Sequence, residues 1–250
     1  ADGRYVLFES GATNLVAGGD TNTVNDLFVK DLQTGAVTLV TTNADGVQVN
    51  SAYSYHASFW SAYDHFVVFE SPATNLVSGD TNGTQDIFLK NLSTGAVTRV
   101  STQADGGQSN GFSMNGSLSA DGRYLLFESD ATNLVVGDSN NNRDIFIKDL
   151  QTGFLTLVSR NAAGVQGTAS QNARFSPDGR YVVFESYDGN LVPGDTNGRM
   201  DIFVKDLQSG AIARVSTDAV GVQGNGTCGE PSFSADGRYI VFESDAGNLT

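Results

Sequence analysis

One seven-residue string occurs five times along this chain, and that repetition limits the fold more than any other feature. Arg4-Tyr-Val-Leu-Phe-Glu-Ser10 comes back as His65–Ser71, Arg123–Ser129, Arg180–Ser186 and Arg238–Ser244. The central residues Phe8, Phe69, Phe127, Phe184 and Phe242 lie 61, 58, 57 and 58 positions apart. Self-similarity at a fixed period marks a chain built from one supersecondary unit whose apolar faces are covered by its neighbours. A second string, Asp20-Thr-Asn-Thr-Val-Asn-Asp26, returns as Asp80–Asp86, Asp138–Asp144 and Asp195–Asp201. An apolar run such as Ile87-Phe-Leu-Lys-Asn-Leu92 follows each copy. A third segment, Thr34–Val40, has copies starting at Thr94, Thr152 and Ser209. No Pro/Ser linker or block of like charge divides the chain. It reads as a single domain, 1–250, with units at about 1–55, 56–114, 115–171 and 172–229 and a partial unit at 230–250.

Each unit predicts four short strands. The first is Ala57–Trp60, with counterparts Gly116–Ser119, Ala173–Ser176 and Pro231–Ser234. The second is the repeated aromatic run, the third is Leu27–Asp31 and its copies, and the fourth is Ala36–Thr41 and its copies. Aromatic and β-branched enrichment, short length and Gly/Asp/Asn punctuation argue strands. No ten-residue stretch carries a helical period. The expected class is all-β, and four antiparallel strands per unit of about 58 residues make the blade of a β-propeller. Strands one and two, and strands three and four, are joined by tight Gly-containing turns. The other two connections are long and leave the same end of each blade, which makes that face the expected place for function. A ring of four blades closed by pairing of the two chain ends is expected. Arg4–Ser10 and Arg238–Ser244 then compete for one slot, so a larger ring and strand exchange between copies stay open as alternatives. The sequence opens at Ala1 in a strand-like segment, which implies sequence upstream.

Ser176-Pro-Asp-Gly-Arg-Tyr-Val-Val-Phe-Glu-Ser186, followed by Asp201-Ile-Phe-Val-Lys-Asp-Leu207, resembles the TolB-like propeller repeat, a relative of the WD repeat. The resemblance covers the whole chain. The Asp-Gly of its Ser-x-Asp-Gly core is matched at four of five sites, and the second unit has Ser61-Ala-Tyr-Asp-His65 instead. The Asn-Leu-Val-x-Gly-Asp-Thr-Asn-Gly insert is similar to that of secreted bacterial repeat proteins described as calcium-binding. That likeness implies a secreted, extracellular or periplasmic interaction or structural module and no particular reaction, because the fold hosts many functions.

The strongest candidate chemistry is Asp-x-Asn-x-x-x-Asp in the long loop. Calcium takes six to eight hard oxygen ligands, supplied by loops at alternating positions. The candidate ligands are Asp20, Asn22 and Asp26; Asp80, Asn82 and Asp86; Asp138, Asn140 and Asp144; and Asp195, Asn197 and Asp201. The Thr84 carbonyl, with water or the Asn75 carboxamide, would extend the second set, giving about one calcium per complete loop. The competing account is that these residues only make turns and that the last Asp starts strand three. The two Asp and the Asn persist while the residues between them drift, which favours the metal.

Glu9, Glu70, Glu128, Glu185 and Glu243 close the aromatic strand in every copy and are expected to accept hydrogen bonds from loop amides. Gln48, Gln108, Gln166 and Gln223 recur between blades and are expected to clamp loop backbone. With only His56 and His65, a zinc site is not expected. Trp60 is expected to pack or be half exposed, and Cys228 to be inert. Asn91, Asn115 and Asn225 begin glycosylation sequons, relevant only in a eukaryotic secretory host. No nucleophile elbow, phosphate loop, His-Asp-Ser set or sialidase motif is present, so a non-enzymatic protein is expected. A formal charge of −14 argues against nucleic acid. No apolar run is long enough to span a membrane. An unidentified protein or glycan on the long-loop face is the expected partner, and self-assembly through terminal strands is possible geometry. A lectin-like propeller and the propeller portion of a larger hydrolase are the alternatives.

Overall fold

The computed structural model describes residues 3–51, 54–59 and 65–249. Among them it holds seventeen strands in five antiparallel sheets. The first sheet is β1 (Tyr5–Ser10), β2 (Asp26–Asp31) and β3 (Val37–Leu39). The second is β4 (Tyr55–Phe59), β5 (Phe66–Ser71), β6 (Asp86–Asn91) and β7 (Val97–Arg99). The third is β8 (Ser113–Leu118), β9 (Tyr124–Ser129), β10 (Asp144–Asp149) and β11 (Leu155–Leu157). The fourth is β12 (Ser170–Phe175), β13 (Tyr181–Ser186), β14 (Asp201–Asp206) and β15 (Ile212–Arg214). The last is β16 (Cys228–Phe233) with β17 (Ile240–Ser244).

Within each four-stranded sheet the spatial order follows the chain order, which is the up-and-down meander of a propeller blade. The core lies between neighbouring blades. Val68 and Ile87 of the second blade pack with Leu125, Phe127 and Phe146 of the third. Leu126 and Ile145 of the third pack with Val182, Phe184 and Phe203 of the fourth. In four blades the phenylalanines of strands two and three stack with ring centres 5.5–5.9 Å apart, as in Phe127–Phe146. This explains the strict repetition of Phe: each pair fills the space over the adjoining sheet, and burial of each ring is worth roughly 1.5–3 kcal/mol.

Two differences from the sequence reading stand out. Strand one begins three residues earlier than predicted in the third, fourth and last sheets, at Ser113, Ser170 and Cys228. A β-bulge interrupts the ladder between Met114 and Ser117, Gln171 and Arg174, and Gly229 and Ser232. The bulged residues Asn115, Asn172 and Glu230 have φ of 53–56°. The bulge breaks the alternation of side chains, so only the part beyond it looks like a strand. Trp60 and the Ser61–Asp64 stretch lie outside the described residues. The second difference is closure. Among the described residues, the three-stranded first sheet and the two-stranded last sheet share no ladder, so the expected pairing of the ends is not present there. Their second strands are correspondingly open. Val6 and Val241 are 42% and 63% exposed, while the equivalent Val67 and Val183 are fully buried.

Candidate cation sites in the long loops

The loop between strands two and three is folded by its own side chains. Its asparagine accepts the amide N–H two residues on: Asn22 Oδ1 from Val24, Asn82 Oδ1 from Thr84, Asn140 Oδ1 from Asn142 and Asn197 Oδ1 from Arg199. The other end of each carboxamide donates to a carbonyl of the following inter-blade loop, at Val49, Ser109, Gly167 and Gly224. Asn22, Asn82, Asn140 and Asn197 thus hold the loop shape and tie it to its neighbour. Asn75, weighed for the second loop, turns away. It donates to Gln48 O and accepts from Asn50 N, clamping the connection between the first two blades.

The first residue of strand three is a fully buried aspartate in every copy: Asp26, Asp86, Asp144 and Asp201. One oxygen is held by a hydroxyl of strand four. Ser101 donates to Asp86 Oδ1 at 2.5 Å and Ser159 to Asp144 Oδ1 at 2.5 Å, with Thr41 and Ser216 doing the same for Asp26 and Asp201. The same hydroxyls accept the next backbone amide, from Leu27, Ile87, Ile145 and Ile202. This explains why the last Asp of the motif never drifts. The first aspartate of each motif sits against it. Asp20, Asp80 and Asp138 are buried, and the Asp195 side chain is 3% exposed. Burial raises the pKa of Asp26, Asp80, Asp86, Asp138 and Asp195, and the neighbouring aspartate adds to this for Asp26, Asp80 and Asp195. Burial pushes Asp144 up to about 6. Each loop therefore buries two carboxylates side by side, an arrangement that favours either a proton or a nearby cation.

The recurring glutamine clamps loop backbone as expected, accepting the N–H of Thr21, Thr81, Ser139 and Thr196, and in two loops it also reaches the aspartates. Gln108 Oε1 accepts from the Thr81 N–H and hydroxyl, and its Nε2 donates to Asp80 Oδ1 at 3.0 Å. Gln166 Nε2 bridges Asp138 Oδ1 at 2.7 Å and Asp144 Oδ2 at 2.6 Å. Gln48 instead donates to Gly19 O. One set of contributors was missed from sequence. Arg99 Nη1 lies 3.2 Å from Asp80 Oδ1 and 3.8 Å from Asp86 Oδ2. Arg214 Nη1 lies 3.4 Å from Asp195 and 3.9 Å from Asp201. The signal was the change from Thr-Leu-Val to Thr98-Arg-Val100 and Ala213-Arg-Val215 in strand four, whose meaning appears only once the strands are in register. Among the described residues no three His, Cys, Asp or Glu side chains converge as a ready metal-ligand group.

The repeated glutamates join blades. Glu70 Oε1 accepts the Asn115 N–H at 2.5 Å, Glu128 Oε1 that of Asn172 at 2.7 Å, and Glu185 Oε1 that of Glu230. Each carboxylate thus caps the bulge of the next blade, the structural role expected of it. Free Cys228 is buried, and burial raises its thiol pKa.

No protein-family model and no curated protein matches this chain. Among solved structures, TolB from Acinetobacter baumannii is 20% identical with a TM-score of 0.52, over 90% of this chain and 44% of its own. An oligogalacturonate lyase in complex with manganese is 19% identical with a TM-score of 0.54, over 89% and 51%. A prolyl endopeptidase is 16% identical with a TM-score of 0.59, over 97% and 30%. This chain spans about half the length of the first two and under a third of the last. At these identities the likeness speaks to fold alone: this chain has a β-propeller fold similar to that of TolB.

Proposed function

We propose that the chain is a secreted, non-catalytic propeller module that binds calcium in its long loops and offers the long-loop face to a protein or glycan. One observation carries this reading: every long loop buries a pair of aspartates, and in two of the four no ion pair among the described residues reaches them. Burying two carboxylates is costly unless a charge offsets them. Loop carboxylates backed by carbonyls and water are the donor set that calcium accepts, whereas magnesium demands tighter octahedral geometry. A ligand bound only by the folded state stabilises it, by roughly 2.7 kcal/mol at a hundred times its dissociation constant. Millimolar calcium is therefore expected to raise the melting temperature of the chain, chelator to lower it, and magnesium to do less. Identical melting curves in calcium and in chelator would overturn the reading.

A second reading is the propeller part of a larger hydrolase. It is favoured by the match to a prolyl endopeptidase, in which nearly all of this chain corresponds to under a third of the other. Turnover of generic peptide or ester substrates by the full-length gene product, absent from these 250 residues alone, would support it.

A further inference from the structure

The four long loops are not equivalent. The residue of strand four that faces the strand-three phenylalanine is Leu39 opposite Phe28, Arg99 opposite Phe88, Leu157 opposite Phe146 and Arg214 opposite Phe203. The register is identical in all four blades, so leucine and arginine alternate at a single structural position. Both arginines are nine-tenths buried, and each places a guanidinium nitrogen between the two aspartates of its loop. Among the described residues, no ion pair reaches Asp20, Asp26, Asp138 or Asp144.

Within the aspartate pairs and the arginines that meet them, the buried polar atoms left without a hydrogen-bond partner follow the same division. In the loops with leucine they are carboxylate oxygens: Asp20 Oδ2, Asp26 Oδ2 and Asp138 Oδ2. In the loops with arginine no oxygen of the aspartate pair is orphaned; the orphans there are guanidinium nitrogens, Arg99 Nε and Nη1 and Arg214 Nε, together with Thr84 Oγ1 in the second loop and Asp188 Oδ2 in the fourth, outside the pair. Asp20, Asp26 and Asp138 are all more than nine-tenths buried. The first and third loops thus present unpartnered negative oxygen at the place where the second and fourth hold a fixed positive charge.

We infer that the first and third loops, built on Asp20/Asp26 and Asp138/Asp144, each bind one divalent cation of the calcium type, and that Arg99 and Arg214 act as built-in cations that exclude metal from the second and fourth. This rests on the calcium reading above and narrows it from four sites to two. Two carboxylates leave a charge of −2, which a dication cancels, whereas an arginine cancels half. In the first loop the Gln48 N–H group already turns away from the carboxylates, to Gly19 O. In the third, the Gln166 carboxamide turns over, so that its oxygen rather than its N–H meets the cation. With two carboxylates per site, water completes the shell, which places the affinity in the weak range of extracellular calcium modules, roughly 10⁻⁴–10⁻³ M.

Calorimetric titration of the 250-residue chain with calcium tests this. Two ions per chain are expected. Asp20→Asn and Asp138→Asn should each remove one, while Asp80→Asn and Asp195→Asn should remove none. Leu39→Arg should remove the first-loop site while circular dichroism stays that of the parent, because the second blade already houses arginine at this position. Arg99→Leu should add a third ion. Four ions in the parent would overturn the division while leaving the calcium reading intact. No binding, with melting indifferent to chelator, would overturn both. Two ions that persist in Asp20→Asn and Leu39→Arg would place the sites elsewhere and overturn the inference alone.

Discussion

At the scale of single residues, repetition reveals which side chains matter, and the variations between copies reveal why. Arg4, Arg123 and Arg180 pair with Asp31, Asp149 and Asp206. The second blade has His65 and Asn91 at those positions, so the carboxylate disappears with its arginine. Asn91 keeps the other duty of the aspartate, accepting the N–H groups of Ser93 and Thr94 as Asp149 accepts those of Gln151 and Thr152. Glu128 is more demanding. It is 1% exposed, burial raises its pKa, and it receives the bulge amide of Asn172. Removing an acceptor of this kind strands a buried donor, at about 2–3 kcal/mol. Glu128→Ala is expected to lower the urea midpoint without changing the slope of the transition, whereas the exposed Glu243 should tolerate the same change within about 0.5 kcal/mol. Equal losses at the two positions would contradict the capping role. The glutamate was visible in the sequence as a fivefold recurrence, but its partner lies 44 or 45 residues downstream, and no local pattern points there.

At the scale of elements, strand three carries a lysine that stitches each blade to the one before. Lys90 Nζ reaches Thr42 O at 2.7 Å, the Thr42 hydroxyl at 2.9 Å and Asn43 O at 3.3 Å. Lys148 repeats this on Thr102 and Gln103, and Lys205 donates to Arg160 O at 2.8 Å. No carboxylate shares in these bonds, and burial alone drops Lys90 to about 8. Lys148 also falls to about 8, through burial, against a small opposing pull from Asp105. A folded-state pKa below the unfolded 10.5 means that between about pH 8 and 10.5 the unfolded chain holds protons the folded chain has lost. Stability from these two groups therefore rises with pH across that window. Urea midpoints measured from pH 8 to 10 are expected to show that rise, and the Lys90→Met/Lys148→Met variant to flatten it. An unchanged slope in the variant would contradict the assignment. The element pattern itself was legible. Strands two and three fall within a residue of their predicted bounds, because Tyr-Val-Leu-Phe and Asp-Ile-Phe-Val runs have strand composition and Gly or Asp boundaries. Strand one was not, since a bulge at positive φ hides its first half.

At the scale of the whole molecule, the described blades form a row in which each interior sheet is covered on both faces and the two end sheets are not. The propeller class was legible from the 58-residue period, whereas closure was not, because closure depends on whether end strands meet, and near-identical strands carry no record of their partner. The candidate sites were half legible. The paired aspartates were plain in the sequence, but the charge that sets each pair's fate comes from strand four of the same blade. Two loops lack a cation that the other two already contain in Arg99 and Arg214, and the melting temperature of the whole chain in chelator reads this most directly. Leu39→Arg is expected to melt higher than the parent in chelator and to respond less to added calcium. Arg99→Leu is expected to melt lower in chelator and to regain stability when calcium is supplied. A Leu39→Arg chain that melts lower than the parent in chelator, or a calcium response that neither substitution alters, would contradict the account.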